Sequence, residues 1–210
     1  SNIVGTTVNW SRAAVAGFSN IAASGTGNPN ETLINTTTDP INVTYVYTLA
    51  VGGCSNIQNV VVTVNPTPLL SSPLNPGDIC SNTLFVYTPT SLTTGTTFSW
   101  ARAAIAGISN PASSGNNGIS ETLINTSSSP IAVTYVYTLT ANGCTNTQNV
   151  VVTVNPLPAL SSTQTPPAIC SNTLFTYTPT SLTPGTSFAW TRAAVAGISN
   201  PCLLYTSRIG

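Results

Sequence analysis

Four cysteines fall at two kinds of position: Cys54 and Cys144 stand 90 residues apart, and so do Cys80 and Cys170. A fifth, Cys202, has no counterpart at that interval. Cysteines can form disulfides, bind metals as thiolates or act as nucleophiles. The sequence has no histidine and no paired C-x-x-C, so neither a zinc site nor a Cys–His pair is well served. The only acids are Glu31, Asp39, Asp78 and Glu121, and Glu31 and Glu121 are again one position repeated at 90. One carboxylate per period makes no acid–base pair. Asp39 and Asp78 have no counterparts at that interval, which gives calcium little to bind. The expectation is a protein that is not an enzyme and carries no metal or other cofactor.

The charged pair of the complete repeat is Arg102 with Glu121, matched by Arg12 with Glu31. They read either as a ligand contact or as a salt bridge tying the Trp100 strand to its neighbour. With so few charges, internal pairing is the favoured reading. Trp10, Trp100 and Trp190 also repeat at 90. An exposed Trp100 would stack on a sugar, but it shares its strand phase with Phe98, which favours the core. The sequons at Asn9, Asn30, Asn35, Asn42 and Asn125 are read as a product of Thr- and Ser-rich composition.

These residues belong to a larger repeat. Asn59–Pro66 and Asn149–Pro156 both read NVVVTVNP, and Ile79–Phe85 and Ile169–Phe175 both read ICSNTLF. A fixed period marks an array of similar units. Across 210 residues it yields one complete unit, 67–156, flanked by incomplete units at 1–66 and 157–201. The boundaries fall at the proline-punctuated junctions NPTPLLSS and NPLPALSS, which are short and semi-rigid. The final stretch, 202–210 (CLLYTSRIG), leaves the repeat pattern. It resembles a translated sequencing-adapter end and is expected to be an artefact.

Within a unit the apolar residues alternate with period two, the pattern of half-buried strands. Phe98 and Trp100 share a face with Arg102. In VTYVYTL the inner row is Val133, Tyr135, Tyr137 and Leu139, and in the last strand it is Val150, Val152 and Val154. Phe85 and Tyr87 supply an earlier inner row. Asn142–Gly143 is a hairpin signal. About seven short strands per unit predict an all-β, two-sheet sandwich.

Hydrophobic residues make up 41% of the chain and charged residues 4%, with formal net charge zero. No basic face exists to meet phosphates, so neither nucleic acid nor an anionic membrane surface is an expected partner. No stretch approaches the ~18 apolar residues of a membrane span. Neighbouring repeats of the same chain are the expected partners.

The combination ICSNTLFVYTPTSLTTGTTFSWARAA, ETLINT, VTYVYTLTANGC and NVVVTVNP resembles the PKD-like, immunoglobulin-like repeats of secreted and cell-surface proteins of Bacteroidota. The resemblance spans residues 1–201. It implies tandem immunoglobulin-like β-sandwich repeats of about 90 residues, export, often by the type IX route, and an extracellular or outer-surface location. The function it implies is a non-catalytic structural spacer. The alternative is an adhesin binding glycans or another surface through its loops, with 26–30 and 116–120 as the variable stretch to look at.

Two pairings of the cysteines stay open. Cys80 with Cys144 closes a long loop within one unit. In an immunoglobulin-like sandwich, however, these residues fall at opposite ends, roughly 20 Å apart, beyond the reach of a disulfide. The other pairing joins the Cys80-type position of one unit to the Cys144-type position of the next. On that scheme the partners of Cys54, Cys80, Cys144 and Cys170 all fall outside this sequence.

Overall fold

The Asn142–Gly143 turn sets the register of a long hairpin, residues 131–155. Both residues have positive φ, 49° and 79°, the type I′ geometry whose twist matches the flanking strands. The computed structural model describes residues 5–199 and the backbone of 204–207. Every element among them is a strand.

The first four strands are β1 (Thr7–Arg12), β2 (Ala23–Thr26), β3 (Ile41–Val51) and β4 (Cys54–Val64). They form one antiparallel sheet in the order β2-β1-β3-β4. Seven more follow: β5 (Ile79–Cys80), β6 (Thr83–Tyr87), β7 (Thr97–Arg102), β8 (Ser113–Asn116), β9 (Ile119–Leu123), β10 (Ile131–Ala141) and β11 (Cys144–Asn155). These make a five-stranded sheet, β5-β11-β10-β7-β8, and a two-stranded ribbon, β6-β9. Among the described residues only the β5–β11 pair is parallel. The last strands, β12 (Phe188–Thr191) and β13 (Leu204–Ser207), pair with each other. Of the stretch expected to be an adapter artefact, residues 202–203 and 208–210 lie outside the described residues.

Between Ile79 and Asn155 the ribbon closes over the sheet. Phe85 and Tyr87 from β6, with Ile119 and Leu123 from β9, meet Trp100, Val133, Tyr135, Tyr137, Leu139, Val150, Val152 and Val154 in one buried cluster. Phe98 is half-buried at its edge. Val, Tyr and Leu on alternating positions give each strand one apolar face, and burying that face is the main drive to form a two-layer core. The strands of β10 and β11 run 11 and 12 residues, longer than the short strands the turn spacing suggests. A two-residue hairpin with matched alternation on both arms lets the ladder continue.

The flanking stretches share the sequence but not the cover. β4 shares the QNVVVTV run of β11, yet Val60 and Val62 are 48% and 37% exposed where Val150 and Val152 are fully buried. By the 90-residue period, the counterparts of β5 and β6 fall at positions ahead of Ser1. In the third stretch Phe175 and Trp190 are about half exposed, whereas Phe85 and Trp100 are 4% and 8%. No strand forms between residues 157 and 187. Only an isolated bridge joins Leu160 to Ser181. Equal sequence with unequal order shows that the facing sheet, more than local propensity, holds these strands.

Candidate functional site: a buried arginine, glutamate and tyrosine

Arg102 is the last residue of β7 and is 2% exposed. Strand alternation sends it inward beside Trp100, so its charge needs partners. Its Nε donates to Glu121 Oε2 at 2.9 Å and its Nη2 to Glu121 Oε1 at 3.2 Å. Nη2 also donates to the Pro111 carbonyl and Nη1 to that of Ala103. The Tyr135 hydroxyl donates to Glu121 Oε2 at 2.6 Å, and the guanidinium carbon lies 5.9 Å from the Tyr135 ring centre. Glu121 sits mid-strand on β9, between the buried Ile119 and Leu123. The pair therefore crosses the sandwich from sheet to ribbon. It does not link adjacent strands of one sheet, as sequence alone suggests, because β9 pairs with β6 rather than with β7.

The same triad recurs in the first sheet. Arg12 donates to both oxygens of Glu31, at 3.0 and 2.8 Å, and Tyr45 donates to Glu31 Oε2 at 2.7 Å. The hydrogen bonds from Arg12, then Tyr45, hold the Glu31 carboxyl down at about 2. Burial pushes Glu121 up, but hydrogen bonds from Arg102, Tyr135 and Ser113 outweigh it and leave its pKa below the usual carboxylate range. Burial, then the Glu121 carboxylate, drives the Tyr135 hydroxyl well above its ordinary value. Burial and the neighbouring Tyr87 do the same to Tyr137. A carboxylate held ionised and a phenol held neutral, both saturated with internal partners, are suited to locking a fold.

The other named residues take separate places. Trp100 is buried edge-on to Tyr135, ring centres 5.4 Å apart, and its Nε1 donates to the Gly118 carbonyl at 3.2 Å. Its indole is therefore not offered to a sugar. Of the two stretches read as a variable loop, 26–30 leaves the strand after Thr26, but 116–120 is largely strand: Asn116 ends β8 and Ile119 opens β9, leaving Asn117 and Gly118. Those two carbonyls are held by Tyr137 Oη and Trp100 Nε1. Alternation hidden beneath Asn, Gly and Ser made the stretch look like a turn.

The cysteines are free thiols: Cys54, Cys80 and Cys170 exposed and Cys144 half-buried. Cys80 lies opposite Asn155 at the end of β11, and Cys144 begins the same strand. Eleven residues of strand separate them, roughly 36 Å. That is longer than the roughly 20 Å inferred from topology, because β11 is unusually long, and it excludes the pairing within one unit. Among the described residues no group of three or more His, Cys, Asp or Glu side chains gathers. No helix among them is long and apolar enough to cross a membrane.

Sequence reasoning missed the part played by Asn125. It is 7% exposed, and its Nδ2 donates to the Ser129 and Val154 carbonyls, both at 2.8 Å. Its Oδ1 accepts from Ser127 N and Oγ. Asn35 makes the equivalent bonds to Asp39 and Val64. The recurring ETLINT motif was the available signal. A buried amide nitrogen committed to two carbonyls is also a poor glycan acceptor, which takes the Asn125 sequon out of play.

Five strands facing two, with a parallel first strand and an inward tyrosine and tryptophan, define an immunoglobulin-like β-sandwich module. Residues 77–158 match the model of the PKD-like domain family, a span that holds all of β5 to β11. Domains of this family are typically extracellular and generally non-catalytic. No curated protein matches the sequence.

Proposed function

We propose that this chain is a run of extracellular structural units, strung end to end to hold some other part of a secreted or surface protein away from the cell. The resemblance to repeats of Bacteroidota surface proteins supports this reading, with complete unit 67–156 between partial units 1–66 and 157–201. The observation that carries it is the junction. Asn65, just past the end of β4, donates its side-chain amide to the Asn142 carbonyl at 2.7 Å. The tail of one unit thus meets the hairpin tip of the next.

The connector that follows is tied down along its length. Pro66 and Pro68 are buried. Asn146 Nδ2 donates to the Pro68 carbonyl, Leu70 N to Gln148 Oε1, and Val151 N to the Leu74 carbonyl. A linker bonded to β11 at three points resists bending, which suits a spacer better than a flexible tether. Each unit contributes roughly 40 Å, the length of a 12-residue strand.

Small-angle scattering of the full chain tests the proposal. The expected radius of gyration is near 25 Å or above, against roughly 17 Å for a single globule of this length. A value near 17 Å defeats the spacer. So does reproducible, saturable binding on a glycan array.

A further inference from the structure

Resting on the string-of-units reading, we propose that the repeated cysteines are disulfide sites joining consecutive units, the Cys80-type thiol of one to the Cys144-type thiol of the next. Three observations converge on this pairing. The two cysteine positions of the central unit lie at opposite ends of β11, so each faces a different neighbour. Position 155 is the strand partner of Cys80, and its counterpart in the preceding unit, 90 residues earlier, is Asn65. Asn65 in turn touches Asn142, two residues from Cys144 in the β10–β11 turn.

A Cys80-type residue paired beside Asn65 therefore stands one strand spacing, one side-chain contact and two turn residues from Cys144, at most roughly 15 Å. Bringing the pair within disulfide reach takes a settling of the turn toward Asn65. The alternative within one unit would have to close roughly 36 Å. Exposure fits as well. Cys144, beside the junction with the preceding unit, is half-buried, whereas Cys54 and Cys80 are exposed.

By the period, the partner of Cys144 falls at a position before Ser1 and that of Cys80 at one after Gly210. Formation follows ordinary exchange. One thiolate attacks a small disulfide of the glutathione class, the second resolves the mixed disulfide, and the oxidant leaves as two thiols with the two protons and two electrons. An oxidising compartment outside the cell keeps such a bond closed. The array then becomes covalently stapled at each joint, and tension on the connector is shared with the disulfide.

The full chain with Cys202→Ser, extended ahead of Ser1 by a second copy of residues 67–90, supplies the missing thiol. It is oxidised with glutathione disulfide and mapped by peptide mass spectrometry. The expected product links the added cysteine to Cys144, with two thiols fewer on titration. A link from the added cysteine to Cys54, or full retention of free thiols, overturns the proposal. Asn65→Cys in the unextended chain gives an independent check. It is expected to cross-link to Cys144, and its failure to do so removes the geometric basis. Scattering separates the two levels: an elongated particle with free thiols defeats only the staple, whereas a compact particle defeats the string itself.

Discussion

Tyr135 and Arg102 converge on the same oxygen of Glu121, at 2.6 and 2.9 Å, from strands β10 and β7 of one sheet, while Glu121 reaches them from the opposite ribbon. An apolar core alone tolerates sliding of one layer over the other. A charged group whose partners come from two directions does not, because any shift leaves a buried charge short of a bond. The recurrence of the same geometry at Arg12, Glu31 and Tyr45 makes it a structural device of the unit.

Replacing Arg102 by Ala strands the Glu121 carboxylate against the core and frees the Pro111 carbonyl. The expected loss is about 3 kcal/mol in opening free energy across β7 and β10. Hydrogen-exchange mass spectrometry reads it as a roughly hundredfold faster exchange of peptides from 97–102 and 131–141. The double variant Arg102→Met with Glu121→Leu removes both charges and leaves the Tyr135 hydroxyl without its acceptor, a cost on the order of 1 kcal/mol. A double-variant loss as large as that of Arg102→Ala would show that the stranded carboxylate is not what costs the single variant its stability.

The two glutamates also set a response to acid. Each has a folded pKa below its unfolded value, about 2 for Glu31 and a lowered one for Glu121. Their contribution is therefore present above the unfolded carboxylate value of about 4.3 and lost as pH falls through the folded value. Melting temperature is expected to hold from pH 7 to about 5 and to fall from there toward pH 2. Glu121→Gln flattens that fall for the central stretch. The tyrosines work in the other direction. Burial raises Tyr135 and Tyr137, so stability present below about pH 10 is lost as pH rises past it. Absorbance at 295 nm is expected to show these phenols ionising only with unfolding. A melting temperature unchanged between pH 5 and 2.5 contradicts the acid half of this account.

The sheet core was legible because strand alternation is local. Trp100, Tyr135, Tyr137, Leu139, Val150 and Val152 were all assigned inward from period two alone, and each is buried. The turn at Asn142–Gly143 carried its own chemistry in the same way. The partnership of Arg102 with Glu121 was readable as a pair, from the scarcity of charge. Its direction across the sandwich was not, since which strands share a sheet is set by long-range pairing. Asn125 was passed over because its value lies in Val154 and Ser81, residues 29 and 44 positions away. The stretch 116–120 reads as a loop for a related reason: β9 takes its strand form against β6, a pairing that no local pattern in those residues signals.

Asn125→Ala tests that non-local role. Removing the amide takes its donor from the buried Val154 carbonyl, while the Ser129 carbonyl keeps Ser127 Oγ. The expected cost is about 2 kcal/mol, read as faster exchange at the end of β11 and in residues 124–129. Asn125→Asp is expected to be worse, since a carboxylate cannot donate to either carbonyl. Wild-type exchange in Asn125→Ala would mean that water replaces the amide without penalty.

Gly115 sets the depth at which Trp100 lies. A Cβ at that position would stand 2.9 Å from Trp100 Cζ2 and 3.0 Å from Cε2. The indole cannot yield easily, since its Nε1 is bonded to Gly118 and its edge meets Tyr135. Gly115→Ala is therefore expected to push β8 away from the ring or tilt the indole off its acceptor, costing about 1–3 kcal/mol, the range for overpacking a filled site. The first sheet supplies an internal comparison. Gly25 approaches Trp10 at 3.1 Å, and Trp10 Nε1 has no hydrogen-bond partner, so its ring is freer to tilt. Gly25→Ala is expected to cost less than Gly115→Ala. Hydrogen exchange of peptides 7–12 and 97–102, measured on the two variants side by side, decides it. A larger effect at Gly25 would show that the Trp100–Gly118 bond does not anchor the indole.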